Sequence, residues 1–401
     1  MRLAPTLCVA LCAAATIAGA AGCQVSGSLS IPLLDQKPAA SDSKPRGHPD
    51  ERGSAGSSRE SGPGAAPPGA PMFFGDHPDL ESVPFENRLT ANFSQHTFTT
   101  EGLDFDPDIG ASGRTLLFAS TRNSERADIY YKSVLGTALT QLTNDPADDV
   151  QPRFSPDGER VVFGSNRSGN WDIWMIRLDG TGLVQLTRDR SDEIAPCWSP
   201  DGARIAFALW GRRSHRWEIW TLSIARPGVR QFLAYGMFPS WSPDGSRIAF
   251  QRARQRGSRW FSVWTITLVG MEARHPTEVA HSDIAACIAP RWSPDGQSLA
   301  YAAVRRGVNS PSGSSDKHES ADIWVIDLKS GLRMKLTDGA APCFNPTWGK
   351  AGRVYFVSSL SGTENIWSLV TDMDAYATGR DQGTEHVSQA SPGGPDESGT
   401  K

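Results

Sequence analysis

The chain has 401 residues, with 40 Lys and Arg against 44 Asp and Glu, a formal net charge of -4. This length supports one large or two ordinary domains, and the near-balanced charge gives no bulk electrostatic case for nucleic-acid binding. Trp is abundant, at 13 residues in a chain that is only 38% hydrophobic, so some recurring element must use it.

Residues 1–23, MRLAPTLCVALCAAATIAGAAGC, place one basic residue ahead of an apolar run of secretory-signal length, too short and small-sided for a membrane span. The run ends in Ala20-Ala21-Gly22-Cys23, which resembles a bacterial lipobox with Ala20 where Leu is usual. That reading predicts export and lipidation of Cys23, with the membrane reached through the lipid anchor alone. Cleavage after Ala20 is the alternative and would release a soluble protein. Export also argues against nucleic acid as a partner. Residues 24–85 are rich in Ser, Gly, Pro and Ala and are expected to form a disordered linker. As a flexible coil it would reach about 40–45 Å. A shorter disordered tail is expected over 372–401.

Between them, 86–371, a pattern recurs. Aligned stretches read PDIGASGRTLLF (107–118), PRFSPDGERVVF (152–163), PCWSPDGARIAF (196–207), PSWSPDGSRIAF (239–250), PRWSPDGQSLAY (290–301) and the weaker PTWGKAGRVYF (346–356). A second stretch follows each one, as in DIYYKSV (128–134), DIWMIRL (172–178) and DIWVIDL (322–328). Ser-Pro-Asp-Gly suits a type I turn with Gly left-handed at its end, and the flanking aromatic and β-branched residues suit antiparallel strands. Short QLT or KLT stretches (141–143, 185–187, 335–337) supply a fourth strand. Four strands per 40–50 residues, repeated six times, predict an all-β, six-bladed propeller. The last unit lacks its LT stretch, whereas ENRLT (86–90) precedes the first, so an N-terminal strand is expected to close the last blade. Trp198, Trp241, Trp292 and Trp348 of the first strands, with Trp174, Trp220, Trp264, Trp324 and Trp367 of the third, are expected in the core.

The repeats resemble those of the TolB-like β-propellers of the bacterial envelope. The resemblance implies a protein–protein interaction role, in that family with a peptidoglycan-associated lipoprotein. The α/β domain that precedes the family's propeller has no counterpart in the 24–85 composition, so only the fold and the interaction class carry over.

Two candidate sites fall on the face opposite the uniform turns, where the variable loops collect. Asp104, Asp149 and Glu193 occupy equivalent places near the channel mouth, where Gly236, Cys287 and Cys343 complete the ring. They read either as caps of their own loops or as a negative half-ring for a basic peptide segment. Arg212, Arg213, Arg216, Trp217, Arg256, Arg259, Trp260, Arg305 and Arg306 read either as a solvated rim or as a basic-aromatic surface for an acidic protein or an anionic glycan. Cys287 and Cys343, at equivalent positions of adjacent blades, read either as two buried free thiols or as a disulfide, which would need their Cα atoms within about 7 Å. No G-x-S-x-G elbow occurs, and the histidines show no zinc-like spacing, with His275 and His281 near Asp283 the one cluster worth probing. No catalytic constellation, metal or cofactor is predicted. The expected function is an exported protein-interaction scaffold in the periplasm or anchored to an envelope membrane, with a glycan-binding or glycan-cleaving propeller as the alternative.

Overall fold

The computed structural model describes residues 93–371 apart from 255–259, 271 and 310–316. The strands are β1 (Ser94–Gln95), then β2 (Asp104–Ile109), β3 (Thr115–Ser120), β4 (Asp128–Ser133) and β5 (Leu139–Gln141). Next come β6 (Asp149–Phe154), β7 (Arg160–Ser165), β8 (Asp172–Arg177) and β9 (Val184–Gln185), followed by β10 (Glu193–Trp198), β11 (Arg204–Gly211), β12 (Arg216–Ser223) and β13 (Arg230–Tyr235). The chain continues with β14 (Met237–Trp241), β15 (Arg247–Ala253), β16 (Phe261–Val269) and β17 (Glu272–Ala280). It ends with β18 (Ala286–Trp292), β19 (Ser298–Asn309), β20 (Lys317–Asp327), β21 (Arg333–Lys335), β22 (Cys343–Trp348), β23 (Arg353–Ser358) and β24 (Asn365–Val370). They form six four-stranded antiparallel sheets, five consecutive in sequence and the sixth ordered β1-β24-β23-β22. The protein is an all-β six-bladed propeller.

The turn chemistry is as its residues dictate. In each Ser-Pro-Asp-Gly turn the glycine is left-handed, as at Gly158 and Gly202 (φ 75° and 67°), and donates back to the serine carbonyl at 2.8 and 2.9 Å. The serine hydroxyl accepts the amide that opens the next strand, Arg160 N to Ser155 Oγ at 2.9 Å.

The deepest side chains are the aromatics that follow these turns. Phe118, Phe163, Phe207, Phe250, Tyr301 and Phe356, one per blade, are each 0% exposed. Of the nine tryptophans expected in the core, Trp198, Trp292 and Trp324 are buried, whereas the other six are half-buried and packed on the cluster edges. An indole is too large and carries an N–H that needs a partner, so it suits the seam between blades better than the centre of one. Three of them donate to the preceding blade: Trp198 Nε1 to Arg153 O at 3.2 Å, Trp292 to Ser240 O at 2.9 Å and Trp348 to Arg291 O at 3.1 Å.

Each innermost strand carries a bulge, and the residue before its proline is left-handed: Asp106, Gln151, Ala195, Phe238, Ala289 and Asn345, with φ between 48° and 55°. The bulge frees an amide that the neighbouring blade satisfies. Gln151 N donates to Asp106 Oδ2 (3.2 Å), Ala195 N to Gln151 Oε1 (2.7 Å), and Asn345 Nδ2 to Asp106 Oδ1 (2.7 Å). Desolvation lifts the Asp106 carboxyl to about 6, against the pull of Arg153. The thiols of Cys287 and Cys343 are buried and unbridged.

Ring closure takes place through the N-terminal strand, but further along than the expected ENRLT, which lies outside the described residues together with Cys23, the 24–85 linker and the 372–401 tail. Ser94 and Gln95 pair with Ser368 and Trp367. Gln95-His96-Thr97 occupies the place of the QLT and KLT stretches. His96 N donates to Ile366 O at 2.8 Å as Leu142 N does to Ile129 O at 2.7 Å, and Thr97 Oγ1 accepts Ile366 N at 2.9 Å as Thr143 Oγ1 accepts Ile129 N at 2.9 Å. A histidine therefore stands where four of the other blades have leucine and blade 4 has Val279, which hid the match.

His96 is 8% exposed, hydrogen-bonded to Ser368 Oγ at 2.8 Å and packed on the Tyr355 ring at 5.0 Å. Desolvation first, then Arg353 and Lys132, hold its imidazole down at about 4 against an ordinary 6.5. A depressed histidine takes no proton in the folded state while the unfolded chain does, so its contribution is complete above pH 6.5 and is lost as pH falls towards 4. His96→Leu should remove this loss. Thermal melts of the two proteins from pH 7 to 4 should diverge on the acidic side by about 2–3 kcal/mol, the wild type falling faster; parallel curves would show that His96 does not titrate at the seam.

Candidate functional site

Asp104, Asp149 and Glu193 open the innermost strands β2, β6 and β10, and all three are 0% exposed. Each is met by an arginine. Arg122 Nη2 lies 2.7 Å from both Asp104 oxygens, with Ser120 Oγ donating to Oδ1 at 2.6 Å. Arg167 Nη2 lies 2.8 and 2.7 Å from Asp149, and Arg230 Nη1 lies 2.9 Å from Glu193.

The guanidinium groups rest on rings of the blade core. Arg122 sits 5.3 Å from both Phe118 and Tyr130, Arg167 lies 5.7 Å from Phe163 and 5.0 Å from Trp174, and Arg230 lies 5.9 Å from Phe207. Burial raises the Asp149 and Glu193 carboxyls, and the paired arginines pull the other way. Charge that is buried and matched shows solvent little field. The sequence held a sign of this, since Ser120-Thr121-Arg122 and Ser165-Asn166-Arg167 repeat directly after the second strand of blades 1 and 2.

The basic-aromatic residues divide. Strands β11 and β12 form a long hairpin in which Trp210 opposes Trp217 and Gly211 opposes Arg216. Its tip turns through left-handed His215 (φ 51°), whose amide donates to Gly211 O at 2.8 Å. Trp210 and Trp217 meet edge to face at 5.6 Å, and Arg216 lies 5.6 Å over Tyr235, which continues into Phe232 and Trp220.

Beside the tip, an open pocket of about 380 Å³ is lined by Arg190, Arg212 and Arg213 with Asp189 and Glu218. Both carboxylates are engaged: Asp189 by Arg230, and Glu218 by Ser214 Oγ (2.6 Å) and Trp220 Nε1 (2.9 Å). Arg190, Arg212 and Arg213 are exposed and have no ion pair among the described residues. Arg190, in the loop before β10, was not singled out from the sequence, because nothing local distinguishes it; only the fold brings it to the hairpin.

The remaining predicted residues are dispersed. Arg256 and Arg259 lie outside the described residues, Trp260 is half-buried, Arg305 is half-buried on β19, and Arg306 lies on the same strand. Arg254 of the blade 4 loop is drawn inward to Glu278 (3.4 Å) and Asp283 (2.8 Å). His281 offers its backbone carbonyl to Arg333, and burial lowers its imidazole. Among the described residues no three His, Cys, Asp or Glu side chains come together as a metal set.

Two classes of arginine follow, and they should respond differently to removal. Asp104→Ala leaves Arg122, with 15% side-chain exposure, without its carboxylate and should cost about 3–5 kcal/mol in urea unfolding. Arg212→Ala and Arg213→Ala should each change stability by no more than about 0.5 kcal/mol. Equal losses at the two places would contradict the division.

Comparison with known proteins gives two family matches, the TolB β-propeller domain over residues 85–231 and the Tricorn protease N-terminal β-propeller domain over residues 171–395. An uncharacterised protein of Agrobacterium fabrum is 34% identical over 82 residues, which span 20% of this chain and 24% of that protein. The chain therefore covers about a quarter of that curated relative's length. Among solved structures, a putative TolB from Agrobacterium tumefaciens aligns at 19% identity with a TM-score of 0.49, over 68% of this chain and 91% of that one. TolB from Acinetobacter baumannii aligns at 16% identity and 0.48, over 66% and 65%. An oligogalacturonate lyase from Vibrio parahaemolyticus aligns at 14% and 0.48, over 72% and 96%.

Proposed function

We propose that this chain, which belongs to the family of Tricorn protease N-terminal β-propeller domains and carries TolB-type propeller repeats, works by binding an acidic segment of another envelope protein at the blade 3 hairpin. The observation that carries this reading is the set of three exposed arginines, Arg190, Arg212 and Arg213, around an open pocket whose own carboxylates are engaged elsewhere. Guanidinium groups without an ion pair among the described residues favour a ligand that brings carboxylates, and Arg is suited to bidentate contact with them. The edge-to-face Trp210–Trp217 pair stiffens the hairpin, which lowers the entropy lost on binding. The buried pairs of Asp104, Asp149 and Glu193 serve as the footing of this face, holding the loops from which the arginines project.

Location in the envelope belongs to the same proposal and rests on the leader-like residues 1–23, with Cys23 as the lipidated residue. Cys23→Ser should move the protein from the membrane fraction to the soluble exported fraction; retention with the membrane would rule out a lipid at that cysteine.

The binding reading is tested by cross-linking capture from an envelope extract, with the wild-type chain beside the Arg190→Ala, Arg212→Ala, Arg213→Ala triple variant. A protein captured by the wild type, displaced by polyglutamate and lost at least tenfold in the variant is the expected result. Capture indifferent to the three arginines would overturn the assignment. Arginine-dependent binding to an acidic glycan array, with no protein captured, would transfer the hairpin to an anionic glycan.

A further inference from the structure

Blades 3 and 5 share one plan, and one member of the shared set has lost its partner in blade 5. In blade 3 Leu222 opposes Arg230, which lies over Phe207 and donates to Glu193 at 2.9 Å. In blade 5 Ile326 opposes Arg333, in the same place. The Phe207 position, opposite Trp220, becomes Tyr301, opposite Trp324. The Glu193 position, opposite Leu209, becomes Cys287, opposite Ala303. The guanidinium is kept and the carboxylate is gone.

What remains is a set of buried donors. Arg333 is 4% exposed; its Nη1 donates to His281 O at 3.0 Å, while its Nε and Nη2 have no partner among the described residues. The Tyr301 hydroxyl is equally unpartnered, in a residue 0% exposed. Cys287 is 0% exposed, and burial pushes its thiol up to about 12, so it keeps its proton. Burial raises the Tyr301 hydroxyl as well, with Arg333 pulling it down. Glu278 and Asp283 act with Arg333 on His281, and both are ion-paired with Arg254, although the buried Glu278 Oε1 has no hydrogen bond among the described residues.

A guanidinium can only donate, and here the hydroxyl and the thiol stay protonated and can donate too. A water would accept such hydrogen bonds but would leave the buried charge unmatched, which an interior does not tolerate well. An anion meets both demands. Cysteine is shorter than glutamate, but the Tyr301 hydroxyl, absent from Phe207, takes back part of that space, so a bound ion must have few atoms. We propose that Arg333, Tyr301 and Cys287 of blade 5 bind a small inorganic anion of chloride size, standing where the Glu193 carboxylate stands in blade 3.

The test is thermal melting of the full chain in sodium chloride against sodium gluconate at equal ionic strength. The wild type should gain about 2–4 °C in chloride, saturating with concentration and reproduced by bromide. Arg333→Leu should lose this gain. Cys287→Glu, which rebuilds the blade 3 pair, should melt in gluconate at least as high as the wild type does in chloride and ignore the halide. No chloride gain in the wild type, or the same gain in both variants, would overturn the proposal. Should the variants fail to fold, bromide-soaked wild-type crystals decide it: an anomalous peak within about 3.5 Å of Arg333 Nε or Nη2 is expected. A water alone at that place would sink the idea.

Discussion

A ring of sheets lasts only if its first and last sheets are joined, and every other feature of this propeller presumes that join. The closing strand is two residues long, Ser94 and Gln95 against Trp367 and Ser368. So short a ladder cannot hold by its own hydrogen bonds. It is reinforced by side chains around it: Asn365 binds Thr97, the Thr99 amide and the Thr99 carbonyl, Thr363 Oγ1 donates to Thr99 O at 2.7 Å, and Lys132 Nζ donates to His96 O at 2.6 Å from the neighbouring blade. Phe93 then packs edge-on against Phe356 at 5.8 Å, tying the seam to the blade 6 core. The join is thus a polar network clamped by aromatics, which is also why an ionisable side chain can sit in it.

From that join inward, the blades cohere through three kinds of contact at three depths. Bulge amides and side chains link the innermost strands around the axis, tryptophan N–H groups link them one layer out, and the strand-centre aromatics fill each blade. Near the loop face the ion pairs of blades 1 to 3 are laid over those aromatics. Most polar groups in these layers are answered from within, while Gln151 Nε2, Trp174 Nε1 and Trp367 Nε1 are among those without a hydrogen bond among the described residues. The same accounting that makes Asp104, Asp149 and Glu193 structural makes the exposed arginines of the blade 3 hairpin and the buried one of blade 5 conspicuous.

The fold was legible because its signals are local: a turn whose four residues each have a conformational reason, followed by β-branched and aromatic residues at fixed spacing. Closure was legible as a need, but its location was not, because His96 breaks the apolar pattern that marks the fourth strand elsewhere. The acids were legible as a set of equivalent positions; their partners arrive from different elements, Arg122 and Arg167 from the loop after the second strand and Arg230 from the fourth strand. Burial by non-local partners is what residue type and spacing cannot convey. The same limit hid Arg190, and it led to too much weight on tryptophan as core, when the smaller Phe and Tyr rings of the second strands are the ones fully enclosed.

The seam also orders events in time. Its hydrogen bonds join residues as far apart as 272 positions, such as His96 and Ser368, so the first strand of the ring to leave the ribosome waits for the last one. Through that interval five sheets have every strand they need, while blade 6 is incomplete and two edges stand open. Loop closure over so long a span is slow, and open edges are where chains pair wrongly with one another. For this protein the hazardous species is a nearly finished arc rather than an unfolded chain, and whatever speeds its closure or, like low concentration, slows encounters between arcs governs the yield of closed rings.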